Sequence, residues 1–229
     1  MKLKKLVFFN IIMLMFKLSF SEDNWCRDIA GSSASYSLGK IIKASNYYVD
    51  NAAEYPNNKV QNCPIISSNC MDKYNPNVNA NSEVIVGKTY KNFTCVYDTK
   101  KQVSGWVPSD RLFKMYALNF KLESLLGTWH SDASKINIKQ NGDNAIVSGT
   151  SKWDGIIDEN GERIEHIGEF HGNALVSNLQ TGAFEIYDDE MDCRVKFNFV
   201  NNKYLIVSDN SNCGGMNVRF NGVYKRKLF

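Results

Sequence analysis

The feature that most constrains the fold is a series of short alternating segments in the second half of the chain. Between residues 135 and 225, apolar and polar residues alternate over short stretches, and turn-forming pairs such as Asn141–Gly142 and Gly172–Asn173 separate them. No proline follows Pro108, so nothing interrupts strand pairing there. Because closing a sheet removes its exposed edges, we expect an antiparallel β-barrel of roughly eight or nine strands in residues 127–229.

The two ends of this region carry a second signal. Gly127, Thr128 and Trp129 open its first strand, and Arg219 or Arg226 lies on its last strand, which we expect to begin at Asn217. This arrangement resembles the calycin pattern. The resemblance implies that Trp129 packs against one of the two arginines and closes one end of the barrel.

The first residues have the composition of a secretory signal. Lys2, Lys4 and Lys5 precede an apolar run over residues 6–16, and Ser19 and Ser21 are small. We predict a signal peptide over residues 1–21 and a periplasmic or secreted protein. The apolar run is shorter than a membrane span, so we expect no stable membrane insertion after cleavage.

Removal of this signal changes the charge balance. The chain has 27 basic and 24 acidic residues, and four of the lysines lie in residues 1–21. The remaining 23 basic and 24 acidic residues give a net charge of −1. We therefore expect no nucleic-acid partner.

All six cysteines follow the predicted signal. An even number in an exported chain predicts three disulfides. Cys193 and Cys213 are the two cysteines of the C-terminal half, and we expect them to pair. The pairing of Cys26, Cys63, Cys70 and Cys95 has three solutions, and the sequence leaves all three open.

The N-terminal half divides into a helical and a strand-rich part. Apolar residues such as Leu38, Ile41 and Tyr48 recur at three- and four-residue steps, which predicts a helix within residues 22–58, although residues 47–49 also suit a strand. Short strands follow over residues 59–114, with Val84 and Val86 on one face. Residues 115–126 form the expected linker.

One strand of this region has a specific pattern. Residues 104–108 read Ser-Gly-Trp-Val-Pro, after a strand in which Phe93, Cys95 and Tyr97 share a face. The pattern resembles the bacterial Src-homology-3-like module, a small barrel that binds cell-wall or protein ligands. The resemblance implies a binding groove, and its candidate lining is Tyr74, Tyr90, Tyr97 and Trp106. The alternative is that these aromatic residues form the core of the small barrel.

The C-terminal barrel has resemblances of its own. Its most specific block resembles a domain of uncharacterised exported proteins of Gram-negative bacteria, and it consists of Cys213, Gly214, Gly215, Asn217, Phe220, Gly222, Val223, Tyr224 and Arg226. Its size and disulfide are also similar to those of the membrane-bound C-type lysozyme inhibitor family. That similarity implies a loop bearing Ser148, Lys152 and Trp153 that would enter the lysozyme cleft.

Catalytic and metal-binding patterns are weak. His166 and His171 are five positions apart, so on one strand they face opposite sides and could not share a metal ion. Asp188, Asp189 and Glu190 could serve a glycan hydrolase with His166, although acids in a hairpin are usually a solvated turn. We expect that the protein binds no cofactor and no metal ion and that it is not an enzyme. The sequence favours an exported binding protein of the cell envelope, with a lysozyme inhibitor and a hydrolase as alternatives.

Overall fold

The computed structural model describes residues 25–31, 35–50, 63–115, 121–157, 159, 161–179 and 182–226. The predicted signal peptide and its cleavage site lie outside these ranges. In the described ranges the chain forms β-strands and short 3-10 turns, and no α-helix. The predicted mainly β class is therefore confirmed. Across the same ranges, no helix has the length and apolar character needed to cross a bilayer.

Strands from the first half of the chain form a five-stranded antiparallel sheet in the order β6-β5-β4-β1-β7. Two shorter strands, β2 and β3, pair with each other beside it. The strands are β1 (Ser37–Ile41), β2 (Ser45–Asn46), β3 (Asn77–Val78), β4 (Glu83–Tyr90), β5 (Phe93–Asp98), β6 (Val103–Pro108) and β7 (Leu112–Lys114). As the alternation predicts, Val84 and Val86 face one apolar cluster, and Phe93 and Cys95 face another.

The helix predicted within residues 22–58 is wrong in the described part of that segment. Within that segment Ser37–Ile41 form strand β1, which pairs with both β4 and β7. Gly39 shows how closely these neighbours approach, because a Cβ there would lie 2.6 Å from Cγ2 of Val86 and 3.1 Å from the carbonyl oxygen of Phe113. The apolar spacing that suggested one helical stripe arises from strand β1 and from Tyr48, which follows β2 and pairs with Trp106. Pairing with distant strands overrides local preference.

The second half of the chain forms an eight-stranded antiparallel, nearly closed barrel in the order β11-β10-β9-β8-β15-β14-β13-β12. Its first and last strands, β8 and β15, pair with each other. The strands are β8 (Gly127–His130), β9 (Ser134–Asn141), β10 (Asn144–Ile157), β11 (Arg163–Leu175), β12 (Ala183–Asp188), β13 (Cys193–Phe199), β14 (Tyr204–Asp209) and β15 (Gly222–Arg226). The predicted barrel and its lower strand number are confirmed.

Two details of the predicted barrel are wrong. Gly172 and Asn173 were expected to form a turn, but they lie inside β11, where they pair with Val147 and Ile146. The closing strand was expected from Asn217, yet β15 begins only at Gly222. Inward alternation still continues ahead of β15, because Val218 and Phe220 are buried. Apolar alternation therefore marks burial correctly without marking where the hydrogen-bonded ladder begins.

The predicted tryptophan, Trp129, packs against Arg226. The Arg226 guanidinium carbon lies 6.0 Å from the centroid of the Trp129 ring. The same guanidinium donates to the carbonyl oxygens of Ser124 at 3.1 Å and Leu126 at 2.6 Å. The exposed Arg219 donates instead to the Val218 carbonyl oxygen and does not take this position. Of the two candidate arginines, Arg226 is the one that packs against Trp129.

The barrel packs directly on the five-stranded sheet. The 3-10 turn Ile29–Gly31 contributes Ile29 and Ala30 to an apolar cluster that also contains Trp106 of the sheet and Val200 and Ile206 of the barrel. Shared apolar burial of this kind fixes the two parts against each other. The expected disulfide Cys193–Cys213 is confirmed, and the remaining pairs are Cys26–Cys95 and Cys63–Cys70.

Candidate binding groove

A groove follows the junction between the sheet and the barrel. We call its first part the acidic cleft, which has a volume of about 510 Å³ and contains Asp28, Asp50 and Asp72. We call its second part the barrel cleft, with a volume of about 400 Å³. The two clefts adjoin because they share four lining residues, which are Tyr97, Gln102, Gly222 and Val223.

Asp50 is the most unusual group of the acidic cleft. Its side chain is only 8% exposed, and it follows the segment in which Tyr48 pairs with Trp106 of strand β6. Its Oδ1 accepts hydrogen bonds from Trp106 Nε1 at 2.6 Å and from the Cys26 amide at 2.7 Å. Its Oδ2 is buried and has no hydrogen-bond partner among the described residues. The carboxylate is thus anchored through one oxygen only.

Burial determines the protonation behaviour of Asp50. Loss of hydration raises its pKa, while the hydrogen bond from Trp106, the backbone amides of Cys26 and Arg27 and the charge of Arg27 act in the opposite direction. An acceptor buried without a partner costs about 1–3 kcal/mol of stability. The fold keeps this carboxylate at the wall of a cleft despite that cost.

A compact turn presents Tyr74 at the rim of the acidic cleft. The Asp72 carboxylate accepts the amides of Tyr74 and Asn75 at 2.8 and 3.0 Å, which is the hydrogen-bond pattern of an Asx turn. The side chain of Tyr74 is 84% exposed. Tyr74 therefore lines the cleft while its side chain remains accessible.

Tyr97 lies where the two clefts meet, and it lines both of them. It is half-buried against the apolar cluster between sheet and barrel. Burial, together with the negative charge of Asp132, raises the pKa of its hydroxyl to about 12. The hydroxyl is therefore neutral at physiological pH and can both donate and accept hydrogen bonds.

The other two predicted aromatic residues, Trp106 and Tyr90, do not line either cleft. Trp106 is fully buried, so the expectation that it lines a groove is wrong, and the alternative of a core tryptophan is correct. Its indole lies behind the cleft and holds Asp50. Tyr90 packs against Trp106 with ring centroids 6.2 Å apart and is not part of the cleft lining. A small sheet places its largest side chain in its core, because that residue buries the most area.

The segment predicted as an inhibitory loop is a strand. Ser148, Lys152 and Trp153 all belong to β10, whose pairing with β11 runs through these positions. Lys152 forms ion pairs with Glu165 at 2.6 Å and Asp154 at 3.0 Å. The hydrogen bond to Glu165, followed by the one to Asp154, raises the pKa of Lys152. The predicted loop is therefore wrong, and its lysine is held by neighbouring carboxylates.

Two of these three residues nevertheless line the barrel cleft. Lys152 and Trp153 lie there beside Asp132 and Arg219, whereas Ser148 does not. The Trp153 ring packs on His166 with centroids 5.1 Å apart. The structure thus brings Tyr74, Tyr97, Lys152 and Trp153 into one groove, although the sequence assigned them to two separate sites.

The acidic turn considered for hydrolysis has a structural role. Asp188 accepts the amides of His171 at 3.0 Å and Glu190 at 3.2 Å. His166 contacts the Met216 carbonyl oxygen through Nδ1 at 2.5 Å. In the part of the chain that the structure describes, no three side chains of His, Cys, Asp and Glu are grouped to hold a metal ion.

Sequence reasoning missed the three acids of the acidic cleft. Asp28, Asp50 and Asp72 are far apart in the chain, and no short motif joins them. Their convergence depends on the Cys26–Cys95 disulfide and on the pairing of Tyr48 with both Met71 and Trp106. The available signal was the position of Asp50 directly after the apolar residues 47–49.

Comparisons with known proteins give no relative for this chain. No protein-family description matches it, and neither a curated protein nor a solved structure matches it.

Proposed function

We propose that this chain is an exported, non-enzymatic binding protein of the cell envelope, and that its ligand occupies the groove between the sheet and the barrel. The observation that carries the proposal is the junction of the acidic and barrel clefts at Tyr97 and Gln102. Two adjoining clefts suit an extended ligand, such as a cell-wall polymer or a peptide segment of a partner protein.

The lining chemistry supports recognition of a polar polymer. Tyr74, Tyr97 and Trp153 contribute flat aromatic area to the lining of the groove. Gln102 and Ser104 also line the groove and can donate and accept hydrogen bonds. A mixture of aromatic faces and a few placed polar groups is typical of ligand sites.

The proposed compartment has separate support. The described cysteines form three disulfide bonds, and such bonds persist in oxidising environments outside the cytosol. The proposed signal peptide provides the export route. The resemblance of residues 104–108 to the Src-homology-3-like module favours a wall or protein ligand over a small soluble metabolite.

Co-sedimentation of the oxidised protein with a purified peptidoglycan suspension tests the proposal. We expect saturable binding that falls by roughly tenfold or more when Tyr74 and Trp153 are both changed to alanine. Tyr187→Ala is the matched control, because Tyr187 is an exposed tyrosine on β12 outside the groove. Equal loss in the control would contradict a role for the groove.

Two further outcomes separate the other candidates. Clearing of the suspension by the protein alone would contradict the non-enzymatic assignment. If the wall does not bind, cross-linking in an envelope extract tests a protein partner, and the same Tyr74 and Trp153 variant should lose the captured partner. Failure of both experiments would overturn the proposed function.

A further inference from the structure

We infer that the acidic cleft is a subsite for a protonated primary amine of the ligand, and that Oδ2 of Asp50 accepts its hydrogen bond. This inference rests on the proposed function for the identity of the whole ligand, and on the geometry of Asp50 for the amine. Three carboxylates, from Asp28, Asp50 and Asp72, line this cleft against the single cation of Arg27. The lining therefore has a formal charge of −2 when all three acids are ionised.

The burial and hydrogen bonding of Asp50 indicate the ligand group more closely than the net charge of the cleft does. The carboxyl is more than nine-tenths buried, and its Oδ2 lacks a hydrogen-bond partner within the described residues. A buried carboxylate oxygen is stabilised by a donor, and best by a charged one. Asp50 thus belongs to the cleft lining, and the described part of the fold leaves its second oxygen without a donor.

The anchoring of Asp50 favours an ammonium group over a guanidinium group. A guanidinium binds a carboxylate best through two parallel hydrogen bonds, one to each oxygen. Oδ1 already accepts from Trp106 and Cys26, so only Oδ2 is available. An ammonium is a compact charge with three donors, and one of them is sufficient for this oxygen.

The surroundings also favour an ammonium over a metal ion. A divalent cation needs several oxygens converging at short distances. The described carboxylates do not form such a group. The rings of Tyr74 and Tyr97 flank the same cleft, and aromatic faces attract an organic cation.

Nuclear magnetic resonance of the disulfide-bonded protein tests the subsite without knowledge of the natural ligand. The Trp106 indole proton is the reporter, because it is bonded to the other oxygen of Asp50, and a Trp106→Phe variant assigns its signal. The probe is n-butylammonium chloride at constant ionic strength, and the neutral analogue is N-butylacetamide. We expect a saturable shift with the ammonium and none with the amide.

Two substitutions locate the effect. Asp50→Asn keeps an oxygen for Trp106 and Cys26 but replaces the free oxygen with an NH₂ donor, so affinity should fall by at least about tenfold. Asp189→Asn removes the same charge on an exposed turn outside both clefts and should leave affinity unchanged. A shift of equal size with the amide, or an unchanged affinity in Asp50→Asn, would overturn the subsite. Absence of any saturable shift in the unmodified protein would also overturn it.

Chemically acetylated peptidoglycan separates this inference from the proposed function. If native and acetylated walls bind equally, the wall-binding function stands and the amine subsite is wrong. If n-butylammonium binds at Asp50 but neither wall binds, the subsite stands and the wall is not the ligand. We expect binding of the native wall and at least about tenfold weaker binding of the acetylated one.

Discussion

The indole nitrogen of Trp106 donates a hydrogen bond to Oδ1 of Asp50 across 2.6 Å, although the two residues are 56 positions apart. This bond joins strand β6 to the segment that follows β2. It also fixes the carboxyl group of Asp50, which lines the acidic cleft. The second oxygen of this group has no hydrogen-bond partner among the described residues. Trp106 therefore acts behind the groove, as the residue that positions Asp50.

Loss of this bond should destabilise the fold. Trp106→Phe retains an aromatic ring but leaves the buried Asp50 Oδ1 with the Cys26 amide as its remaining donor. Weakening a buried acceptor in this way costs about 1–3 kcal/mol, and urea unfolding measures the change. Trp25→Phe is the control, because Trp25 is 39% exposed and should change stability by less than about 0.5 kcal/mol. Equal stability of the two variants would contradict this role of Trp106.

Asp50 should also make stability depend on pH. Burial raises its pKa in the folded state above the ordinary value of 3.8, so the folded protein binds more protons than the unfolded chain just above that pH. Stability from this group is present below pH 3.8 and is lost as the pH rises through the folded-state pKa. Asp50→Asn removes the titration, so its stability relative to wild type should increase from acid to neutral pH. Thermal unfolding of both proteins over that range provides the measurement, and parallel pH profiles would exclude the effect.

The sequence predicted the barrel well because burial there follows a two-residue period. Ala145, Val147, Ser151 and Phe170 alternate inward along β10 and β11 and are all buried. It predicted the first strand of the five-stranded sheet poorly, because Leu38 and Ile41 fit a helical spacing as well as a strand. Only pairing of β1 with β4 and β7, which are distant in the chain, decides between the two.

Removal of the C-terminal disulfide should cost measurable stability. Cys193 and Cys213 are 20 positions apart, and changing both to alanine should lower the free energy of unfolding by roughly 2–4 kcal/mol in the chain-entropy estimate. Urea unfolding of the double variant measures this loss. In the unmodified native protein neither thiol should react with a maleimide, and rapid labelling of both would show that the bridge is absent.

The candidate site was predicted in parts and not as a whole. Tyr74 and Tyr97 were chosen as exposed aromatic residues of one half, and Lys152 and Trp153 as a motif of the other. Their meeting in one groove depends on how Ile29 and Ala30 pack against Val200 and Ile206. Apolar contacts between distant segments carry no local period, so the sequence alone did not place the sheet beside this side of the barrel.

Arg226, and not Arg219, should stabilise the packing around Trp129. Its guanidinium contacts the Trp129 ring and donates to the carbonyl oxygens of Ser124 and Leu126. Arg226→Lys keeps the charge but loses the planar fork that reaches both carbonyls at once. We expect a loss of about 1–3 kcal/mol in urea unfolding, because at least one carbonyl loses its charged donor.

Arg219→Lys is the matched control for Arg226→Lys. Arg219 is exposed, and its described hydrogen bond goes to the carbonyl oxygen of its own neighbour, Val218. Its replacement should change stability by less than about 0.5 kcal/mol. The fluorescence of Trp129 is a second readout. Its Nε1 donates to the Leu125 carbonyl oxygen at 2.8 Å, and its ring contacts Arg226. Its fluorescence should therefore change in Arg226→Lys and not in Arg219→Lys. A larger loss in Arg219→Lys than in Arg226→Lys would show that Arg219, and not Arg226, stabilises the packing around Trp129.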